Sequence, residues 1–209
     1  MPSVTRSDRS SRRDRREAME RRVLAATEQL IQEGAGFTEL SVEKLAAVAG
    51  ISRSTFYVHF EDKSDLARRM TKTVLAELET VSREWWSTAD SADREHLQTA
   101  LTSIIDVYRR RGAAFTMVVE AAAYDASVAE EVRSQMQSII EATRKAIELG
   151  QAAGVMRAVE PAETAAVLTW MVERAGYQLV RMSDPDGDAK IVSVLTDVIF
   201  STLYRLDSD

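Results

Sequence analysis

There is no cysteine among the 209 residues of the chain, which excludes disulfides, thiolate metal sites and thiol redox chemistry together. Histidine occurs only twice, as His59 and His96, too few for a histidine-rich site, so no metal and no cofactor is expected. Eight Gly and three Pro leave long stretches without a breaker, and Ala-, Glu- and Arg-rich runs fill them. Such a chain is expected to be all-α. No apolar run approaches the roughly 20 residues that a membrane-spanning helix needs. Met1–Arg16 also lacks the apolar stretch of a secretory signal, so a cytoplasmic protein without a membrane partner is expected. Also missing are a Ser/His/Asp set, a phosphate-cradling glycine loop and a cluster of metal ligands. An enzyme is therefore not expected.

What is present is charge, unevenly placed. The net charge is −6, yet residues 1–22 hold eight Arg against four acidic residues and leave about −10 on residues 23–209. That imbalance predicts a local basic footprint on an acidic body; a solvated Arg/Ser-rich tail fits residues 1–14 equally well. These residues are expected to be an unfolded arm, followed by a small N-terminal domain over 15–62 and a larger one over 63–209.

Apolar spacing supports about nine helices. The first is expected over 12–33, with Met19, Val23, Ala26, Thr27, Leu30 and Ile31 on one stripe and Gly34 and Gly36 ending it. Ser41, Ser52 and Asp62 are placed to cap helices over 42–49, 53–59 and 63–86. Five longer helices follow, over about 91–111, 113–123, 127–153, 161–182 and 189–206, with a "SDPDG" turn at 183–187.

The segment "GISRSTFYVHFEDKSDL", Gly50–Leu66, is unlike the rest, because three of the chain's few aromatics fall within Phe56–Phe60. Two short helices about a glycine turn make a helix-turn-helix, in which Gly50 supplies the positive φ of the turn and Ile51 and Phe56 pack inward. Ser52, Arg53, Ser54, Thr55, Tyr57, Val58 and His59 then remain outside. Their chemistry suits double-stranded DNA: Arg53 can bind guanine or phosphate, hydroxyls can bond phosphate or base edges, and Val58 can touch a thymine methyl. Tyr57 and His59 can reach phosphate oxygens, and Lys63 opens the next helix.

Residues 40–66, "LSVEKLAAVAGISRSTFYVHFEDKSDL", resemble the TetR family of bacterial transcription regulators. The most specific part is Gly50, Ile51, Ser52, Thr55, Phe56, Tyr57, His59, Phe60, Lys63 and Leu66, and the likeness covers roughly residues 18–66. It implies a homodimer on a palindromic operator, acting as a repressor, with a C-terminal domain that binds a small-molecule effector. It also implies recognition roles for Ser52–His59 and phosphate roles for Ser41, Tyr57, His59 and Lys63. Glu61 and Asp62 depart from the family, whose members often have Pro or an uncharged polar residue there. The arginines ahead of the first helix, Arg12 and Arg13 among them, are expected to contact phosphates or a flanking minor groove.

In the larger domain, the helix at 161–182 is apolar around most of its circumference, and that at 189–206 has a broad apolar face. Such helices need cover on both sides, and a second copy of the chain is the simplest cover. A hydrophobic or amphiphilic effector is expected between the helices at 91–111, 113–123, 127–153 and 161–182. Candidate lining residues are Ile104 and Tyr108; Phe115 and Met117; Tyr124; Met136 and Ile140; and Thr169, Trp170, Glu173 and Tyr177. The same spacing fits an ordinary filled core. Glu120 and Glu173 stand within apolar runs, and for Glu120 a solvated helix face is expected. A DNA-bound scaffold that recruits a protein partner, without an effector, is the alternative.

Overall fold

The computed structural model describes residues 4–91 and 93–204, with side chains from Asp14 onward. Within these residues are nine α-helices and no strand. They are α1 (Val4–Gln32), α2 (Val42–Val48), α3 (Arg53–His59), α4 (Lys63–Thr88), α5 (Arg94–Arg110), α6 (Gly112–Tyr124), α7 (Ala126–Ala152), α8 (Pro161–Leu179) and α9 (Pro185–Leu203). Two compact units result: Met1–Thr71 with Thr116–Glu131, and Lys72–Phe115 with Val132–Asp209. The start of α4, most of α6 and the first turns of α7 therefore group with the N-terminal helices, where a division at residues 62/63 had been expected.

In the first unit, α1, α2 and α3 pack on one another around Val23, Leu30, Leu45, Phe56, Phe60, Leu66 and Met70, all essentially inaccessible. The caps follow local chemistry: Ser41 Oγ accepts from the Lys44 N–H at 3.2 Å, Ser52 Oγ from Thr55 at 3.0 Å, and Asp62 Oδ1 from Asp65 at 2.7 Å. Each fills one of the donors that a helix N-terminus leaves open. Gly50 has φ +65°, and a Cβ there would stand 2.9 Å from Arg22 Nη2. That guanidinium, from α1, donates to the carbonyls of Ala49 at 2.7 Å and Gly50 at 3.2 Å, closing the end of α2. Arg69 on α4 reaches Glu20 at 2.6 Å and Asp65 at 2.9 Å, fastening α4 to α1.

In the second unit, α5, α8 and α9 pack against one another. Arg109 holds Asp188 at 2.6 Å and the Ser183 carbonyl at 2.8 Å, and Arg94 pairs with Asp197. Gly176 permits the close α5–α8 approach, because a Cβ there would meet Tyr108 Cδ2 at 2.4 Å.

Two expectations are corrected. The arm expected to be unfolded through residue 14 is helical from Val4. No Gly or Pro interrupts Val4–Gln32, and its Arg, Glu and Ala residues favour helix. Residues 1–3 lie outside the described residues, as do the side chains of Arg12 and Arg13. The last three residues of the turn expected at 183–187 already belong to α9, because Asp184 caps the helix by accepting from Gly187 at 2.7 Å and Pro185 takes its first position.

Candidate DNA-reading helix and ligand cavity

On α3, Phe56 is the anchor. Its ring is inaccessible, stacks on Phe60 at 5.1 Å between centroids and meets Tyr57 edge-on at 5.5 Å. The other faces of this short helix are thereby turned outward: Arg53, Ser54, Tyr57 and Val58 are exposed, Tyr57 by 46% and Val58 by 76%. Thr55 is half-buried, and Ser52 Oγ lies 2.8 Å from both Thr55 Oγ1 and Ser54 Oγ. Arg53 pairs with Glu43 of α2 at 2.6 Å and lies 5.7 Å from the Tyr57 ring centroid. The face thus offers a guanidinium held by a carboxylate that a stronger anion can displace, hydroxyls, one methyl-bearing surface and a phenol. Ser41, exposed at the start of α2, adds a further hydroxyl. His59 is half-buried, and its Nδ1 is shut from solvent with no hydrogen-bond partner.

Lys63 is placed differently from its expected phosphate role. Its ammonium donates to the carbonyls of Phe37 at 2.8 Å and Thr38 at 3.0 Å, and it stands 4.9 Å from the Phe37 ring centroid. Burial lowers its pKa, with the Glu120 charge opposing. Glu120, expected on a solvated face, grips the same loop: Oε2 accepts from the Phe37 N–H at 2.9 Å, and Oε1 from the Thr38 N–H at 2.8 Å and Oγ1 at 2.7 Å. Burial pushes its carboxyl up, but these donors and Lys63 outweigh burial and hold it below the usual range. The residues are 82 and 83 positions apart, and no local spacing signals the pairing.

The second unit holds a cavity with about 690 Å³ of space free of protein atoms, its mouth included. Of the expected lining residues, Ile104, Tyr108, Met136, Thr169 and Glu173 line it. The others do not. Phe115 lies behind the wall, stacked on Tyr108 at 4.3 Å, and Met117 is core of the first unit. Tyr124 is 80% exposed and Trp170 42% exposed. Ile140 yields its place to its neighbour Ile139. Tyr177 is buried and its phenol accepts from Arg181 at 3.1 Å. Sequence reasoning missed the contribution of α4, namely Leu78, Ser82, Trp85 and Trp86, and that of Ile199 on α9; no residue of α6 lines the cavity.

The wall is almost wholly apolar, and its polar groups are few. Ser82 donates to the Leu78 carbonyl at 2.9 Å, and Thr143 Oγ1 accepts from Trp86 Nε1 at 3.2 Å. Burial pushes the carboxyl of Glu173 up, with Arg174 opposing. Burial also raises the Tyr108 phenol, and the Glu173 charge adds to it.

A glycine-turned pair of short helices with a polar outer face defines a helix-turn-helix DNA-binding module, here in a chain with a second, cavity-bearing helical unit. Residues 23–70 match the family of bacterial regulatory proteins of the tetR type, and residues 97–205 match the C-terminal domain of the transcriptional regulator EthR. The chain belongs to the TetR family of transcriptional regulators, with an EthR-type C-terminal domain, and is a DNA-binding regulator rather than an enzyme. It is 26% identical over 207 residues to the HTH-type transcriptional regulator EthR of Mycobacterium tuberculosis, covering 98% of this chain and 94% of that one. A putative TetR-family regulator from Rhodococcus sp. shares 25% identity at a TM-score of 0.68, over 88% of this chain and 98% of the other. NalD of Pseudomonas aeruginosa, the secondary repressor of the MexAB-OprM multidrug efflux pump, shares the fold at a TM-score of 0.65 and 20% identity, over 91% and 98% of the two chains. Among the described residues no helix is long and apolar enough to cross a membrane.

Proposed function

We propose that the protein is a repressor that binds a palindromic operator as a homodimer and is released by a small apolar or amphiphilic ligand in the α4–α5–α7–α8–α9 cavity. The observation that carries the DNA half is the exposed face of α3, held outward by the buried ring of Phe56. Arg53, Ser54 and Val58 are the base-reading candidates; Ser41, Ser52, Thr55, Tyr57 and His59 supply phosphate contacts. Lys63 is reassigned: it holds the 37–38 loop, so it supports the reading helix from behind. Arg12 and Arg13 are assigned to phosphates flanking the half-site, and deleting residues 1–14 is expected to flatten the salt dependence of operator binding.

The dimer rests on the apolar faces of α8 and α9 that the chain itself leaves uncovered, with Val167, Trp170, Val194 and Val198 exposed. Pairing through a twofold axis would bury them in a four-helix interface. It would also present two reading helices to half-sites about 34–36 Å apart. The repressor of the efflux pump that shares this fold gives the sign of regulation its support. α4 is uninterrupted from Lys63 to Thr88, and its later turns line the cavity, so a ligand that moves those turns acts on the helix that follows α3. Such a ligand releases DNA in proportion to its preference for the non-binding state. The test is selection of genomic fragments by the purified protein, then gel shift on the selected sites with a library of apolar ligands. Selection of a palindrome released by ligand supports the reading; enrichment of no site, or binding that no cavity ligand alters, counts against it.

A further inference from the structure

Among the described residues Glu173 is the one carboxylate in the cavity wall, and its placement carries information about what the cavity holds. Its side chain is 17% exposed, while Oε2 is shut from solvent and has no hydrogen-bond donor within reach. The nearby cation, Arg174, stands with Nε 3.6 Å from Oε2, beyond a hydrogen bond, and is itself 61% exposed to water. Within the wall Ser82 is turned onto its own helix and Thr143 is engaged by Trp86. Among the described residues, no Lys, Arg or His lines the cavity. A buried carboxylate oxygen without a donor is unfavourable unless something else supplies one.

Resting on the proposal that the cavity is the effector site, we infer that the effector is a cationic amphiphile: a protonated amine that pairs with the Glu173 carboxylate and whose apolar body lies among Leu97, Leu101, Ile104 and Met136. The wall fits that chemistry on both counts. Its remaining surface is mostly apolar and suits a hydrocarbon or aromatic body; besides Ser82 and Thr143, its other polar groups are the Tyr108 and Thr169 hydroxyls and the buried indole N–H of Trp85. An anionic head would instead face Glu173 with no wall cation to meet it. A neutral head without a donor would leave Oε2 as it is now. The raised pKa of Glu173 is an energetic mark of the same missing partner.

Three ligands of one chain length separate these cases: decylamine, decyl methyl ether and decanoate. Binding to the full-length protein is followed by the fluorescence of Trp85 and Trp86, which line the cavity, and by calorimetry. Decylamine is expected to bind roughly ten- to a hundredfold more tightly than the ether, as a hydrogen bond to a charged group implies, and decanoate most weakly. Glu173→Gln should reduce the amine's advantage over the ether to less than about threefold. Ile104→Trp, which fills the cavity, should weaken all three and so excludes adsorption elsewhere. Equal affinity of amine and ether in the unaltered protein, or an amine preference that survives Glu173→Gln, would overturn the head-group assignment and leave the effector site standing. Failure of all three to bind a protein that still shifts its operator would overturn both. Undiminished amine binding by Ile104→Trp would place the amine outside the cavity and overturn the inference.

Discussion

The reading helix and the cavity are built on opposite plans. On α3 a single buried ring, Phe56, turns four exposed residues outward, and the polar groups there are hydroxyls, a guanidinium and a phenol. In the cavity mostly apolar groups face the empty space, and among the described residues Glu173 is the one carboxylate. The reading face derives its order from a short stretch of contiguous chain. The cavity assembles five helices from α4 to α9. A defect in the first should therefore act on DNA directly, whereas a defect in the second should act only when ligand is present.

The largest effect should come from Phe56→Ala. Removing an inaccessible ring from so small a unit is expected to cost about 3–5 kcal/mol of stability and abolish operator binding, read by chemical denaturation alongside gel shift. Retention of both would break the claim that Phe56 orients the face. Arg53→Ala should leave stability unchanged. It should lower discrimination at one operator position by about 1–3 kcal/mol, measured by binding to a panel of single-base variants. A uniform loss across all positions would instead make Arg53 a phosphate contact.

Glu120→Gln tests the support behind the face. The folded carboxyl is held below its ordinary pKa, so its contribution is complete above the unfolded value, about 4.3, and is lost as pH falls through the folded one. Unaltered protein should exceed the variant at pH 7 by about 1 kcal/mol. The gap should close on acidification, as thermal melts across pH would show; a gap independent of pH would mean that the charge contributes nothing. Smallest is Tyr57→Phe, which keeps the ring packed against Phe56 and removes only the hydroxyl. Operator affinity should fall by about 0.5–1.5 kcal/mol at every site, with no change in melting.

The same contrast explains what the sequence disclosed. Ser41, Ser52 and Asp62 cap helices at donors three residues ahead, and Gly50 turns the chain where it stands. All are local chemistry, so α2, α3 and the start of α4 were legible. Glu120 was misread, and the hold of Lys63 on the same loop was missed, because their shared partners, Phe37 and Thr38, are remote in sequence. The cavity was legible only in part, because Ile104 and Met136 have the same helical spacing as residues that fill a core. Trp85 and Trp86 look like ordinary packing until α5, α7 and α8 leave space beside them. Trp170 was misplaced for the converse reason: an aromatic on a helix apolar all round faces inward or toward a second chain with the same sequence pattern.

The most direct test joins the two regions in one titration. The fluorescence anisotropy of a labelled operator bound to the full-length protein is followed as decylamine is added, beside Ile104→Trp under the same conditions. Loss of DNA from the unaltered protein, at amine concentrations that the filled-cavity variant withstands, is the expected result. Amine binding at the cavity that leaves operator affinity unchanged would contradict control of the reading helix by the cavity.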